Sequence, residues 1–523
     1  MTVHTRPDII LIVLDTLRAD RLSCYGYPRE TSPHIDAFAK NGVVFERAIS
    51  PAQWTIPAHA SIFTGEYPTT HMTTQIYDRN GGELTMLAEA LQEAGYQTIG
   101  FCNNPLLGVV ENGLDRGFEK LYLYGGAMPN RPSVADARPR MLGRNAQRLD
   151  RLLRRSMILF QDLFARNSFL LRIALSPWIA PFWQRHGNFK GNTALSLRDT
   201  VGYLRTRRHK GAEHPAFVFI NLMETHLPFA PLPRFIRRFA PYYRKDREAR
   251  RFMQSYNRAP YRWMLPMTEP LTEPQDRVLN DLYDAEIAYE DHLLRYLFRY
   301  LDESGVRENT LVIITSDHGE GLNRHHFVGH SLVAYDDLVR VPLILRYPDR
   351  YLGGLRISTP VSTRRIFHTA LEIAGVRPAS DSLNDDLERL NLARTIDGPD
   401  PEDGIVFTEA YTPETLLTLM KGEKRHIIEL FRCNQMRRAA YRENYKLITV
   451  GGQPDELFDV ISDPDELHNL IDREPGLTTE LNRLLTDFVL AADMRRPANR
   501  EAARMALDNE TIAERLRGLG YIE

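Results

Sequence analysis

A chain of 523 residues exceeds what one hydrophobic core supports, since cores stop growing near about 250–300 residues; a large catalytic domain plus a smaller partner is expected. A formal net charge of -2 excludes a global electrostatic case for nucleic acid or an anionic membrane as partner. The three cysteines (Cys24, Cys102, Cys433) are too few and too scattered for a disulfide framework or a zinc-ligand spacing, which points to a reducing compartment.

Residues Pro7 to Leu14 (PDIILIVL) form a short β-branched run that reads as a buried parallel strand. Its apolar part is too short for a signal core, and no segment reaches the roughly 20 apolar residues of a spanning helix. The longest apolar stretch, Ile173 to Trp183, is broken by Pro177 and Pro181, so a soluble, cytoplasmic protein is expected. Ser32 to Asn41 reads as a helix with Ser32 as cap and Pro33 in its first turn, and Val43 to Arg47 as a strand. Leu84 to Ala94 has helical spacing ended by Gly95, and Gln97 to Phe101 is a strand. A helical stretch from about Asn192 precedes the strand Ala216 to Leu222, and the helical run Asp276 to Ser304 precedes Thr310 to Thr315.

Strands alternating with helices predict an α/β fold with a mainly parallel central sheet flanked by helices. In such sheets ligands bind beyond the carboxyl ends of the strands. Asp15, Asn103, His226 and Asp317 all fall there. Two basic insertions, at about 128–190 and 231–265, interrupt the pattern and read either as a wall over an anionic substrate or as solvated helical surface. The catalytic domain is expected over 1–385. Residues 386–523 are expected to form a small α+β subdomain and helical tail, with strands at Gly404 to Glu409, Arg437 to Tyr441 and Tyr445 to Val450. Helices are expected there at Thr478 to Asp493 and Glu510 to Arg517.

The segment Trp54 to Gly65 (WTIPAHASIFTG) places Thr55 ahead of Pro57 as the expected cap of a helix running to Phe63. A hydroxyl there faces unpaired N–H groups and the positive end of the helix dipole, which favour a bound anion. Asp317-His318-Gly319-Glu320 leaves a buried strand, so the first two side chains can turn toward one cation; His325, His326 and His330 follow. Mixed oxygen and nitrogen ligands suit Zn or Mn better than Ca or Mg. Such a cation lowers the pKa of a hydroxyl and can activate threonine, while His226 and His330 are candidates for proton transfer or leaving-group contact.

Together these residues resemble the sulfatase family within the alkaline phosphatase superfamily. The carrying segments are Ile10 to Asp20 (ILIVLDTLRAD), Trp54 to Gly65, Phe217 to Pro228 (FVFINLMETHLP) and Ser316 to Leu343, with Arg437 to Ile448, Glu456 to Leu470 and the closing LRGLGYIE in the second domain. The resemblance implies Asp15, Thr55, Asp317 and His318 as metal ligands, Thr55 also as nucleophile, and His226 and His330 beside the transferred group. Asn103 or Asn104 and His59 are the implied substrate contacts, and Arg18, close to Asp15 in sequence, is either a further contact to an anionic substrate or a surface salt-bridge partner. True sulfatases carry Cys-x-Pro-x-Arg, whose cysteine becomes formylglycine; here the stretch is Thr55-Ile56-Pro57-Ala58-His59, and Thr16 replaces a frequent second aspartate. The threonine resembles related phosphodiesterases and phosphonate monoester hydrolases, and the thinner shell leans the divalent metal toward Mn or Zn, with Ca also open. The expected activity is hydrolysis of a phosphodiester or phosphonate ester through a covalent phospho-enzyme. The alternatives are a sulfatase using unmodified threonine, a phospholipid-headgroup transferase resting the amphipathic Ser156 to Trp183 stretch on a bilayer surface, and a non-catalytic binder of anionic glycans. Oligomerisation is left open.

Overall fold

The computed structural model describes residues 6–497 apart from positions 77, 79, 81–82, 109, 111, 126–189, 212, 259–262, 306–307 and 379–380. The first basic insertion, apart from Lys190, and the expected final helix at Glu510 to Arg517 lie outside the described residues.

The strands are β1 Asp8–Leu14, β2 Val43–Ile49, β3 Gln97–Cys102, β4 Lys120–Leu123, β5 Ala216–Leu222 and β6 Thr310–Thr315. They continue as β7 Gly321–Leu322, β8 Val328–Gly329, β9 Arg340–Arg346, β10 Leu355–Ile357 and β11 Val361–Ser362. The central sheet runs β10-β2-β9-β6-β1-β5-β3-β4, with β11 also on β2. Pairs β1–β5, β1–β6, β3–β5 and β3–β4 are parallel, as expected. The antiparallel strand β9, between β6 and β2, was not legible in the sequence.

Successive side chains of a strand point to opposite faces, and β1 feeds two cores in this way. Ile10, Ile12 and Leu14 pack in one cluster with Leu294 and Leu297 of helix Glu273–Ser304. Ile9, Leu11 and Val13 pack in the other with Ile56 and Ile62 of helix Thr55–Thr64. A strand buried on both faces explains the unbroken apolar run read from Ile9 to Leu14. Helix Thr193–His209 is capped by the Asn192 side chain, and helix Glu273–Ser304 begins with a Thr272 capping box. Ser32 precedes helix Pro33–Ala39 without capping it; its hydroxyl donates to Asp36 Oδ1 at 2.8 Å.

The second basic segment folds as helices Pro233–Phe239 and Arg247–Arg258. Its interleaved aromatics turn inward: Phe235 and Phe239 pack on Ala285 and Ala288, and Phe252 and Tyr256 join the main core. The arginines are the solvated face of that amphipathic pattern.

Strands β12 Val406–Ala410, β13 Arg437–Arg442, β14 Tyr445–Val450 and β15 Gln453–Asp459 form a separate antiparallel sheet in that order. Helix Pro475–Arg495 buries Leu481 against it beside Leu447 and Leu457. The fully buried Lys446 of β14 ties this sheet to the segment entering β9: its ammonium lies 2.8 Å from Asp336 Oδ1 and 2.6 Å from Glu466 Oε1. Glu466 also accepts the Asp336 N–H at 2.6 Å. Removing the cation leaves two buried carboxylates uncompensated, so Lys446→Met is expected to destabilise the fold by about 3–5 kcal/mol. Urea unfolding of the variant against the parent protein measures this, and an unchanged midpoint would show that the pair is dispensable.

Candidate active site

The site is built where β1, β5 and β6 end side by side. Val13 of β1 pairs with Thr315 of β6, so Asp15 and Asp317, each two residues further on, leave the sheet at the same height. The Asp15 N–H still bonds the Leu222 carbonyl of β5 at 2.8 Å, and Thr16 then turns the chain with φ 64. Facing them is the wholly buried helix Thr55–Thr64, stopped at Gly65 with φ 76. Trp54 takes the N-cap position, so Thr55 is the first helical residue rather than the expected cap.

Asp15 Oδ2 accepts from Asn104 Nδ2 at 2.7 Å and Asn221 Nδ2 at 3.4 Å. Asp317 Oδ1 accepts from the backbone N–H of His318 at 2.9 Å and of Thr16 at 3.3 Å. The other oxygens, Asp15 Oδ1 and Asp317 Oδ2, are buried with no hydrogen bond of good geometry. His318 Nδ1 lies 2.8 Å from the Gly319 carbonyl, which can only accept; the proton sits on Nδ1 and the Nε2 lone pair is exposed to the site. That Nε2 stands 3.4 Å from Thr55 Oγ1, 3.5 Å from Asp317 Oδ2 and 3.9 Å from Asp15 Oδ1. Asp15, Asp317 and His318 thus offer ligand atoms within 4.8 Å of one another.

Burial, and then the neighbouring Asp317, push the Asp15 carboxyl up to about 8. Burial raises Asp317 to about 7 against opposing backbone hydrogen bonds, and lowers His318 to about 4. Two carboxylates and a neutral imidazole without a partner cation are costly at neutral pH. A divalent ion among them removes that cost, so the donor set fits one.

His226 and His330 stand across from this cluster, their ring centroids 5.0 Å apart, with His330 4.6 Å from the His318 ring. His226 Nδ1 donates to the Leu227 carbonyl at 2.6 Å, and His330 Nδ1 lies 3.2 Å from Glu320 Oε1. Burial holds His226 well below the usual histidine range and His330 at about 3. These imidazoles are therefore neutral in the structure as it stands.

The family model described as Sulfatase matches residues 7–376. The chain belongs to the sulfatase family. It is similar to the ulvan-active sulfatase of Formosa agariphila, 24% identical over 488 residues, covering 92% of this chain and 80% of that protein. An N-acetylgalactosamine-6-O-sulfatase of Bacteroides thetaiotaomicron is 23% identical over 532 aligned positions, covering 92% of each. Among solved structures, a phosphonate monoester hydrolase of Agrobacterium radiobacter superposes with a TM-score of 0.64 at 20% identity, covering 93% of this chain and 96% of that one. This sulfatase-family chain is a sulfatase-like ester hydrolase with the fold expected from its sequence.

The expected substrate contacts stand differently. Arg18 is buried and committed: it chelates Asp20 at 2.8 and 2.6 Å, pairs with Asp337 at 2.6 Å and bonds the Glu320 carbonyl at 3.1 Å. It braces the loop rather than meeting substrate, because a guanidinium this far from water needs fixed anions. Asn104 is committed as well, since its amide orients Asp15 and its oxygen accepts the Leu106 N–H. Asn103 gives its amide to Thr193 Oγ1 at 2.8 Å. His59, one helical turn after Thr55, points into the core against Phe63 and Phe219, its Nδ1 2.9 Å from the Thr55 carbonyl and 3.4 Å from Asp317 Oδ2. His325 stacks on Tyr335 at 3.7 Å and His326 is exposed, so neither joins the cluster.

Four supporting residues escaped sequence reasoning. Asn221 lies mid-strand in an apolar run, Thr225 Oγ1 donates to the Asp15 carbonyl at 2.6 Å, and Ser316 Oγ donates to that of His318 at 2.6 Å. Glu320 was visible only as the end of the Asp317-His318 motif; its link to His330 needed the β7–β8 hairpin.

Both site carboxyls titrate above the ordinary 3.8, so in metal-free protein their contribution to stability is fully present below that pH and is lost as pH rises through 7 and 8. A divalent ion takes the place of those protons. Calorimetry is expected to show a Tm gain from added Mn or Zn that is larger at pH 8 than at pH 6, and smaller in Asp15→Asn. A gain independent of both would place the metal elsewhere.

Proposed function

We propose that this enzyme hydrolyses phosphoric diesters or phosphonate esters, with Thr55 as nucleophile and Asp15, Thr55, Asp317 and His318 holding a divalent metal, Mn or Zn before Ca. The observation carrying this reading is the Thr55 hydroxyl 3.4 Å from the His318 Nε2 lone pair at the start of a buried helix. That position belongs to cysteine in the family pattern, and all three cysteines of this chain lie elsewhere, unpaired. Their free state also supports a reducing, cytoplasmic setting. Among the described residues, no helix is long and apolar enough to cross a membrane.

When bound, the metal would favour the alkoxide form of Thr55 and draw charge from a non-bridging substrate oxygen. Thr55 Oγ bonds to phosphorus as the bond from phosphorus to the leaving oxygen breaks, and that oxygen takes a proton. Water then attacks the phospho-threonine; its proton leaves, the P–Oγ bond breaks and Thr55 is restored. His226 and His330 flank this exchange. Each has Nδ1 tied to a neighbour, to the Leu227 carbonyl and to Glu320, which leaves Nε2 for the proton steps. The N-terminal end of helix Thr55–Thr64 favours the anionic group at Thr55.

The second reading is sulfate-ester hydrolysis by the unmodified threonine, favoured by relatives named as sulfatases. A sulfo-threonine lacks the elimination route of an aldehyde hydrate and has to be hydrolysed at sulfur. A panel of bis-p-nitrophenyl phosphate, p-nitrophenyl phosphate, a phenylphosphonate ester and p-nitrophenyl sulfate on metal-replete enzyme separates the two. The diester or phosphonate is expected to turn over fastest, with Thr55→Ala lowering kcat/KM at least about a thousandfold. Preference for the sulfate ester selects the second reading, and an active Thr55→Ala enzyme overturns both.

A further inference from the structure

We propose that Gln53 is a positioning residue: its side-chain amide clamps a strained peptide at Ser331 and so fixes the direction of His330. The inference rests on the placing of His330 in the reaction. Gln53 is fully buried two residues before Thr55, and Nε2 donates to the Ser331 carbonyl at 2.8 Å and the Tyr411 carbonyl at 3.1 Å. Both amide hydrogens are thereby used, so Gln53 has no donor left for substrate.

Ser331 has φ 122, a conformation that a residue with a Cβ rarely adopts and that persists only where its surroundings impose it. Rotation about that bond swings either the Ser331 carbonyl or His330, the residue before it. Both sides are anchored, and Gly329 before His330 is held by its pairing with Gly321. Glu320 holds the His330 ring at 3.2 Å, and Gln53 holds the Ser331 carbonyl. Without Gln53 the carbonyl side is released, and the direction of the imidazole beside His318 and His226 is left to the Glu320 bond and the pairing of Gly329.

The second acceptor gives the clamp a longer reach. Tyr411 directly follows β12, and the Glu409 N–H of that strand bonds the Pro51 carbonyl at 2.9 Å, on the same approach to Thr55. One amide thus joins the nucleophile segment, the His330 loop and the antiparallel sheet. The edge of that sheet takes part in setting the active-site geometry, beyond walling it.

The test uses the full, metal-replete chain with bis-p-nitrophenyl phosphate. Gln53→Met keeps the length and removes the donor; Gln53→Asn keeps an amide but shortens its reach, and serves if the first variant does not fold. Either is expected to lower kcat roughly tenfold to a hundredfold, with KM and metal content little changed. Ser331→Gly accepts the same φ without strain, so Gln53→Met is expected to cost several-fold less kcat in that background. His330→Ala is measured alongside. A slow His330→Ala enzyme with unchanged kcat in both Gln53 variants overturns the clamp alone. Equal kcat losses from Gln53→Met with and without Ser331→Gly also overturn it. A fully active His330→Ala enzyme overturns the underlying placing of His330.

Discussion

Parallel, in-register pairing of β1 with β6 is the constraint on which the site depends. It brings Asp15 and Asp317, separated by three hundred residues of chain, to the same level beyond the sheet and out of contact with water. Like charges so placed are unfavourable by themselves, and among the described residues no lysine or arginine pairs with them. It commits one oxygen of each to hydrogen bonds and leaves the other facing the Nε2 lone pair of His318. That is the electrostatic signature of a site that the fold completes with a cation.

Rigidity follows from the ties around this pair. Asn104 and Asn221 hold the Asp15 carboxylate, Thr225 holds its carbonyl, and Ser50 and Ser316 hold the carbonyls of Asp317 and His318. Preorganised ligands bind a metal without reordering, and Thr55, the proposed nucleophile, is equally fixed on the first turn of a buried helix. Burial acts on His226 and His330 too, where it favours the neutral imidazole.

The cationic residues serve structure. Arg18 is spent on Asp20 and Asp337, and Lys446 on Asp336 and Glu466. Both networks close on the short stretch Asp336–Val339 that leads from the His330 loop into β9. The antiparallel sheet is fastened there and again through Gln53, so its position and that of the histidine loop are mechanically linked.

Much of this was readable along the chain. The apolar runs of β1, β5 and β6, their alternation with helices and the polar residues just past their ends determine a parallel α/β sheet with its site at the carboxyl edge, because hydrogen bonding and burial act locally on such patterns. Asp15, Asp317 and His226 could be placed near that edge for the same reason, but only the family resemblance named them with Thr55, His318 and His330 as one set; the fold brings ligand atoms of Asp15, Asp317 and His318 within 4.8 Å of one another. Which polar residues face the cavity was decided by tertiary structure alone. Arg18 and Asn104 have the right chemistry for an anion, yet partners distant in sequence claimed them first. Helical phase turned His59 toward the core. The antiparallel insertion of β9, the pairing of Glu320 with His330 and the reach of Gln53 to Ser331 and Tyr411 depend on contacts between distant segments. A hydrogen bond between remote segments leaves no periodicity in the chain, so only the assembled fold could choose those partners.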